Sequence, residues 1–239
     1  MLMKKIIAHR GAPSLAHENT MESFFRACEA GADFIEFDVR RTKDKLLVAH
    51  HDPYIVQNAE KLNICDLTYD ELTIIASEHN FKVPQIKQIL QVFYGNVGLD
   101  IELKEEDCEQ EILQLISDLP VKPSCFFTSF NSSILRKLKK YDHSLQTGLL
   151  FESMDTINEA SKEIDFLCPD YDTFFSNRDY FGSTTNRCST AVWTVDTREK
   201  IRKVLKNPLI GAVITNQTAL AASVRNELYD SNEIRTNSP

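Results

Sequence analysis

From residue 5 to residue 215, short apolar runs alternate with stretches of helical periodicity, and this rhythm leaves few folds open. Parallel strands cannot be joined by a tight turn, so a helix-length crossover after almost every strand implies a parallel sheet. The strand candidates are Lys5–His9, Asp33–Asp38, Val97–Leu103, Cys125–Ser129, Thr147–Phe151, Asp165–Cys168, Thr190–Val195 and Ala212–Thr215. Eight parallel strands close a sheet on itself and leave no free edge. The expected fold is therefore α/β, a (β/α)8 TIM-like barrel. The 239 residues suit one domain, 1–239, without internal repeat or composition shift. Segments 106–118, 131–141 and 197–206 read as helices; Asn19 with Glu22 and Thr68 with Glu71 have the spacing of N-caps. The polar segment from about Tyr229 is expected to fray.

One connection breaks the rhythm. Between Asp38 and Leu46 there is too little chain for a crossover helix, so Glu36–Val39 and Leu47–His51 read as an antiparallel hairpin, an extra strand after the second one. With the turn centred between Lys43 and Asp44, and to within one residue of register, Glu36 is expected opposite His51 and Asp38 opposite Ala49. Strand alternation then gathers Glu36, Asp38 and His51 on one face and turns His50 to the other.

Ionisable residues inside apolar strands are costly unless paired or bound to a metal. Here they occur on four strands: His9-Arg10 ends the first, Glu36 and Asp38 lie two apart on the second, His51-Asp52 ends the hairpin strand, and Asp100, Glu102 and Lys104 alternate on the third parallel strand. Barrel enzymes draw their catalytic groups from the ends of several strands on one rim. Glu36, Asp38 and Glu102 offer three hard oxygen donors, suited to one divalent cation, Mg2+ or Ca2+, rather than to zinc. Asp100 shares their parity but lies deeper, where a buried hydrogen-bonded role is expected. His9 and His51 can share acid and base duties near neutral pH. Arg10 and Lys104 supply positive charge for phosphoryl oxygens. Together these groups describe metal-assisted phosphoryl transfer.

Charge narrows the substrate. A net charge of −8, with no basic block to offset it, would repel a nucleic-acid backbone, whereas a cation in one pocket can still reverse the field for a small anion. Six scattered cysteines show neither zinc-like nor C-x-x-C spacing and read as reduced thiols. The apolar run at the N-terminus is too short for a signal peptide, and no stretch is long enough to cross a bilayer. A cytoplasmic location without stable membrane insertion is expected.

The motifs His9-Arg10-Gly11, Glu18-Asn19-Thr20, Gly31 to Val39, Val48 to Asp52 and Ile101-Glu102-Leu103-Lys104 follow one another in order. With Val192-Trp193-Thr194-Val195 and Gly211 to Thr215 near the end, the chain resembles the glycerophosphodiester phosphodiesterases over roughly residues 5–222. The resemblance implies hydrolysis of a small glycerophosphodiester to glycerol 3-phosphate and an alcohol. It implies a divalent metal on Glu36, Asp38 and Glu102, acid–base histidines His9 and His51, Arg10 and Lys104 at the phosphate, and Trp193 on the pocket wall against the glycerol portion. The family reaction is drawn with the substrate's own 2-hydroxyl attacking phosphorus; direct attack by water is equally compatible with these residues. The chain departs from the family pattern at His17, at Lys45 in the hairpin turn, at Tyr54–Asn58, in the segment 83–88, and at Asn216, where an aspartate is usual. These departures touch loops rather than the proposed ligands or histidines, and they motivate two other readings: a barrel that binds without turnover, and a lysophospholipase D-type enzyme. The short segment between His51 and Val97 lacks a basic amphipathic face, which favours small soluble diesters over a membrane-surface substrate.

Overall fold

The structure, a computed structural model, describes residues 3–120, 124–157, 163–184 and 189–236. In chain order the strands are β1 Lys5–Ala8, β2 Phe34–Arg41, β3 Leu47–Ala49, β4 Tyr54–Gln57, β5 Glu60–Asn63, β6 Gly98–Leu103, β7 Cys125–Ser129, β8 Thr147–Phe151, β9 Phe166–Pro169, β10 Ser189–Val192 and β11 Ala212–Thr215. The helices are α1 Met21–Glu29, α2 Tyr69–Glu78, α3 Ile86–Phe93, α4 Glu109–Ser117, α5 Ser132–Tyr141, α6 Tyr171–Ser176, α7 Arg178–Thr184, α8 Arg198–Lys206 and α9 Thr218–Thr236. Eight strands run parallel in the order β1-β11-β10-β9-β8-β7-β6-β2, and pairing of β1 with β2 through Ile7–Phe34 and Ala8–Ile35 closes the barrel. Each expected strand is present, and β3 adds antiparallel to β2 as the extra strand.

The helices bury apolar stripes on the barrel. In α3 these are Ile86, Ile89, Leu90 and Phe93; in α8 they are Ile201, Val204 and Leu205. Both sets follow the three-to-four-residue spacing that puts one face of a helix against a sheet. Burying such a side chain contributes about 1.5–3 kcal/mol. A second, smaller core of Val48, Ile55, Ile64, Leu72, Ile75, Ala76 and Val83 holds the segment between β3 and α3, including the β4–β5 hairpin that the sequence pattern did not reveal.

Two local expectations are corrected. The β2–β3 pairing is one residue away from the expected register: Val39 faces Ala49 and Arg41 faces Leu47, so Asp38 faces His50 rather than Ala49. The cause is a three-residue loop, Lys43-Asp44-Lys45, in which Lys45 takes a left-handed φ of 64° and Thr42 pairs with Leu46. Parity therefore does not separate His50 from His51; the strand ends at Ala49, and the chain beyond it is free to turn. Second, Thr20, not Asn19, caps α1 by accepting from Ser23 N–H, and Asn19 is committed elsewhere. The Thr68–Glu71 capping box forms as expected. The last helix, α9, runs Thr218–Thr236 and so takes in the segment from Tyr229. Tyr229 itself docks, its hydroxyl accepting from Lys4 N–H at 3.0 Å.

Candidate active site

The register of β2 against β6 builds the centre of the site. Glu36 lies beside Asp100 and Asp38 beside Glu102, so four carboxylates point into the barrel from adjacent rungs. All four are buried. Glu36, Asp38 and Glu102 bring ligand oxygens within 4.8 Å of one another. Burial, reinforced by the charges of Asp38, Glu102 and Asp100, pushes Glu36 well above the usual carboxylate range. Burial and then the Asp38 charge raise Glu102 to about 7. Burial would also raise Asp38, but Lys104 and Arg10 outweigh it and hold this carboxyl at about 2. Glu36 Oε1 is buried and has no hydrogen-bond partner among the described residues. An orphaned carboxylate oxygen within a buried set of hard donors that oppose one another's ionisation fits a divalent cation. Asp100, one rung deeper, accepts from Thr128 Oγ1 at 2.7 Å, while its other carboxylate oxygen, Oδ2, is buried without a hydrogen-bond partner among the described residues.

The turn after β1 supplies the first cation. Arg10 has a φ of 53° and Gly11 one of 87°, and a Cβ on Gly11 would sit 2.3 Å from Ser23 Oγ, so the turn needs glycine there. This turn brings the Arg10 N–H to Glu36 Oε2 at 2.6 Å. The Arg10 guanidinium lies 3.3 Å from Asp38 and also binds Glu18. Lys104 reaches Asp38 Oδ1 at 3.0 Å and Glu102 Oε1. Asn19, buried and in a left-handed conformation, donates to Asp38 Oδ2 at 2.7 Å and accepts from the Asp38 N–H.

His9 and His51 line the same pocket as Arg10, Glu36, Glu102 and Lys104. The orientation of His9 follows from its partners. Asp196 can only accept, and it takes hydrogen bonds from Asn216 N–H and Nδ2, which leaves Asn216 Oδ1 facing His9 Nδ1 at 2.8 Å. His9 must therefore donate from Nδ1, which leaves an unprotonated Nε2. Burial and the adjacent Arg10 charge hold its pKa below the ordinary histidine range. His51 is held from two sides: Asp52 accepts from Nδ1 at 2.8 Å, and Arg40 clasps the His51 carbonyl with Nε and Nη2 at 3.0 and 2.8 Å. His50 turns away to the Tyr54 carbonyl. Trp193 stands on the opposite wall with Phe130, and its indole N–H donates to the Cys168 carbonyl at 2.7 Å.

The sequence reading passed over Arg40, Asp196, Phe130 and Glu152. Arg40 shares the parity of Glu36 and Asp38, a signal that was available. Glu152 and Phe130 each stand one position past a barrel strand, which is where rim residues belong. The Asp196–Asn216 pairing joins two loops distant in sequence and could not be read before the fold was known.

Comparison with known proteins places the chain in a family. The model of the glycerophosphoryl diester phosphodiesterase family matches residues 9–220. A glycerophosphodiester phosphodiesterase of Caldanaerobacter subterraneus subsp. tengcongensis is 28% identical over 238 residues, covering 92% of this chain and 97% of the relative. YqiK of Bacillus subtilis, an uncharacterised protein, is 31% identical over 176 residues, 68% of this chain and 72% of its own. The crystal structure of the Thermotoga maritima glycerophosphodiester phosphodiesterase superposes with a TM-score of 0.80 at 24% identity, over 94% of this chain and 99% of that one, which speaks to the fold. Matched from the histidine just after β1 to the start of α9, this chain belongs to the glycerophosphoryl diester phosphodiesterase family and is a phosphodiesterase.

Proposed function

We propose that the chain hydrolyses small glycerophosphodiesters to glycerol 3-phosphate and an alcohol. His9 and His51 act as the acid–base pair, and one divalent cation, Mg2+ or Ca2+, is held by Glu36, Asp38 and Glu102. The observation that carries this reading is that both imidazoles line one pocket of about 250 Å3 together with Glu36 and Glu102, whose ligand oxygens lie within 4.8 Å of each other and of Asp38. When bound, the cation would neutralise phosphoryl oxygen charge. Arg10 and Lys104, which already flank Asp38, are placed to hold the remaining oxygens of the phosphate. His9, kept neutral with Nε2 unprotonated, takes the proton of the attacking hydroxyl or water. His51, aligned by Asp52 and Arg40, returns a proton from Nε2 to the departing alcohol oxygen. Trp193 and Phe130 limit the water around the bound diester. The intact set of His9, His51, Glu36, Asp38 and Glu102 speaks against a barrel that binds without turnover.

We place this activity in the cytoplasm. Cys28, Cys65, Cys108 and Cys168 are free thiols, which suits a reducing compartment; Cys188 lies outside the described residues. Among the described residues no helix is long and apolar enough to cross a membrane.

Substitution tests the assignment of roles. His9→Ala and His51→Ala should each lower turnover about 10²–10⁴-fold while divalent-cation affinity, measured calorimetrically, persists. Glu102→Gln should weaken cation affinity, whereas Asp100→Asn should act mainly on thermal stability. Full activity in both histidine variants would remove the acid–base assignment, and the reverse pattern at 100 and 102 would mean the ligand is Asp100.

A further inference from the structure

Two carboxylates set the position of the Arg10 guanidinium. Asp38 lies 3.3 Å from it but also serves Lys104 and Asn19. Glu18 gives both of its oxygens to Arg10 Nη1, at 3.0 and 3.2 Å. The Glu18 side chain is 38% exposed, and an ion pair open to water holds its geometry weakly unless the backbone beneath it is fixed. The hold on Arg10 therefore depends on how firmly residues 17–20 are seated.

Hydrogen bonds seat them in part. Asn19 N–H donates to the Arg10 carbonyl at 3.0 Å, and Thr20 Oγ1 donates to the His17 carbonyl at 2.6 Å. His17 is exposed, with Nδ1 donating to the Glu18 carbonyl at 3.0 Å, and its ring lies flat on Phe81. The ring centroids are 4.0 Å apart and the planes 7° from parallel. Contact of this kind favours one seating of the loop by roughly two- to tenfold over an unstacked one.

Phe81, between α2 and α3, is a fixed platform. Its N–H donates to the Ala76 carbonyl at 3.2 Å, just after left-handed Asn80, and its ring packs against the small core around Val48 and Leu72. Val83 is buried in that core, and its carbonyl accepts from the Tyr69 hydroxyl at 3.0 Å. The Pro84 carbonyl accepts from the N–H of Ala49, the last residue of β3 before the two histidines. Residues 81–84 thus meet the Arg10 loop at one end and the strand that delivers His51 at the other. His17 is also a position where the chain departs from the family pattern, so the stack belongs to this sequence rather than to the shared motifs.

We propose that His17 and Phe81 are positioning residues for the phosphate: their stack lets the small core seat residues 17–20 and, through Glu18, the Arg10 guanidinium. The inference rests on the hydrolase reading above, in which Arg10 holds phosphoryl oxygens. Neither ring lines the active-site pocket, so each acts through Glu18.

The test is hydrolysis of glycerophosphocholine by the metal-loaded chain, with calorimetric binding of glycerol 3-phosphate alongside. The proteins compared are the wild type, His17→Ala, Phe81→Ala, the double variant and His17→Phe. Each alanine variant should raise KM and weaken glycerol 3-phosphate binding about three- to tenfold, with kcat nearly unchanged. The double variant should be no worse than the weaker single one, because both remove the same contact. His17→Phe keeps a ring on Phe81 and should stay close to wild type. His17 is exposed, so its variants should keep the wild-type unfolding midpoint, and they decide the matter even where Phe81→Ala disturbs the small core. Unchanged KM and product affinity in His17→Ala, losses that multiply in the double variant, or a His17→Phe no better than His17→Ala would each overturn the positioning role while leaving the hydrolase reading intact. No glycerol 3-phosphate from the wild type would remove the hydrolase reading, and this inference with it.

Discussion

His9 shows how a single hydrogen bond can define a chemical role. Its Nδ1 faces an amide oxygen only because Asp196 occupies the amide's other end, so the tautomer is set two residues away from the ring. In Asp196→Asn the Asn216 amide is free to flip, and kcat should fall about 10–100-fold with little change in cation affinity. The double variant Asp196→Asn/Asn216→Asp again offers His9 an acceptor and should recover most of the loss. A single variant with unchanged kcat would show that the tautomer is set by something else. With His9 as the proposed base, activity should rise with pH through a value below the ordinary histidine range, because a base must be neutral to accept a proton and burial with the Arg10 charge lowers the His9 pKa. The residue types of this site were legible in the sequence because charges inside apolar strands are costly and so conspicuous. Their supports were not: Arg40 binds a backbone carbonyl and Asn19 a buried carboxylate, contacts that no local spacing encodes.

At the scale of elements, periodicity located all eight barrel strands because each is a short apolar run between helical segments. Register was harder. A single residue in the β2–β3 loop shifts the pairing by one, and Lys45 accommodates that residue only by taking a left-handed φ of 64°. Lys45→Gly should therefore stabilise the fold by about 0.5–1 kcal/mol, measured by chemical denaturation, with no change in the site. Destabilisation would mean the lysine side chain makes up for its backbone strain. The β4–β5 hairpin escaped notice because its strands are short, β5 is polar and largely exposed, and the pair is set on a separate small core.

Across the whole molecule, the end of the barrel opposite the site is tied by Asp33, just before β2. Its carboxylate accepts from Ile6 N–H at 2.9 Å, pairs with Lys5 at 3.1 Å, and binds Arg225 of α9. Burial opposes ionisation here, but the Ile6, Lys5 and Arg225 donors outweigh it and lower the pKa. A carboxyl depressed on folding adds stability that is present above its unfolded value and is lost as pH falls through the folded one. Asp33→Asn should cost about 1–2 kcal/mol at neutral pH, after allowing for solvent screening, and should flatten the acid side of the stability profile. An unaltered acid limb would place that sensitivity elsewhere. The proposed chemistry converges on one reaction in one pocket, and its most direct measurement is glycerol 3-phosphate release from glycerophosphocholine by the purified chain with Mg2+, with Ca2+ and with EDTA. Release that one of the two cations supports and EDTA abolishes is the predicted result; undiminished release in EDTA, or none with either cation from folded protein, would contradict it.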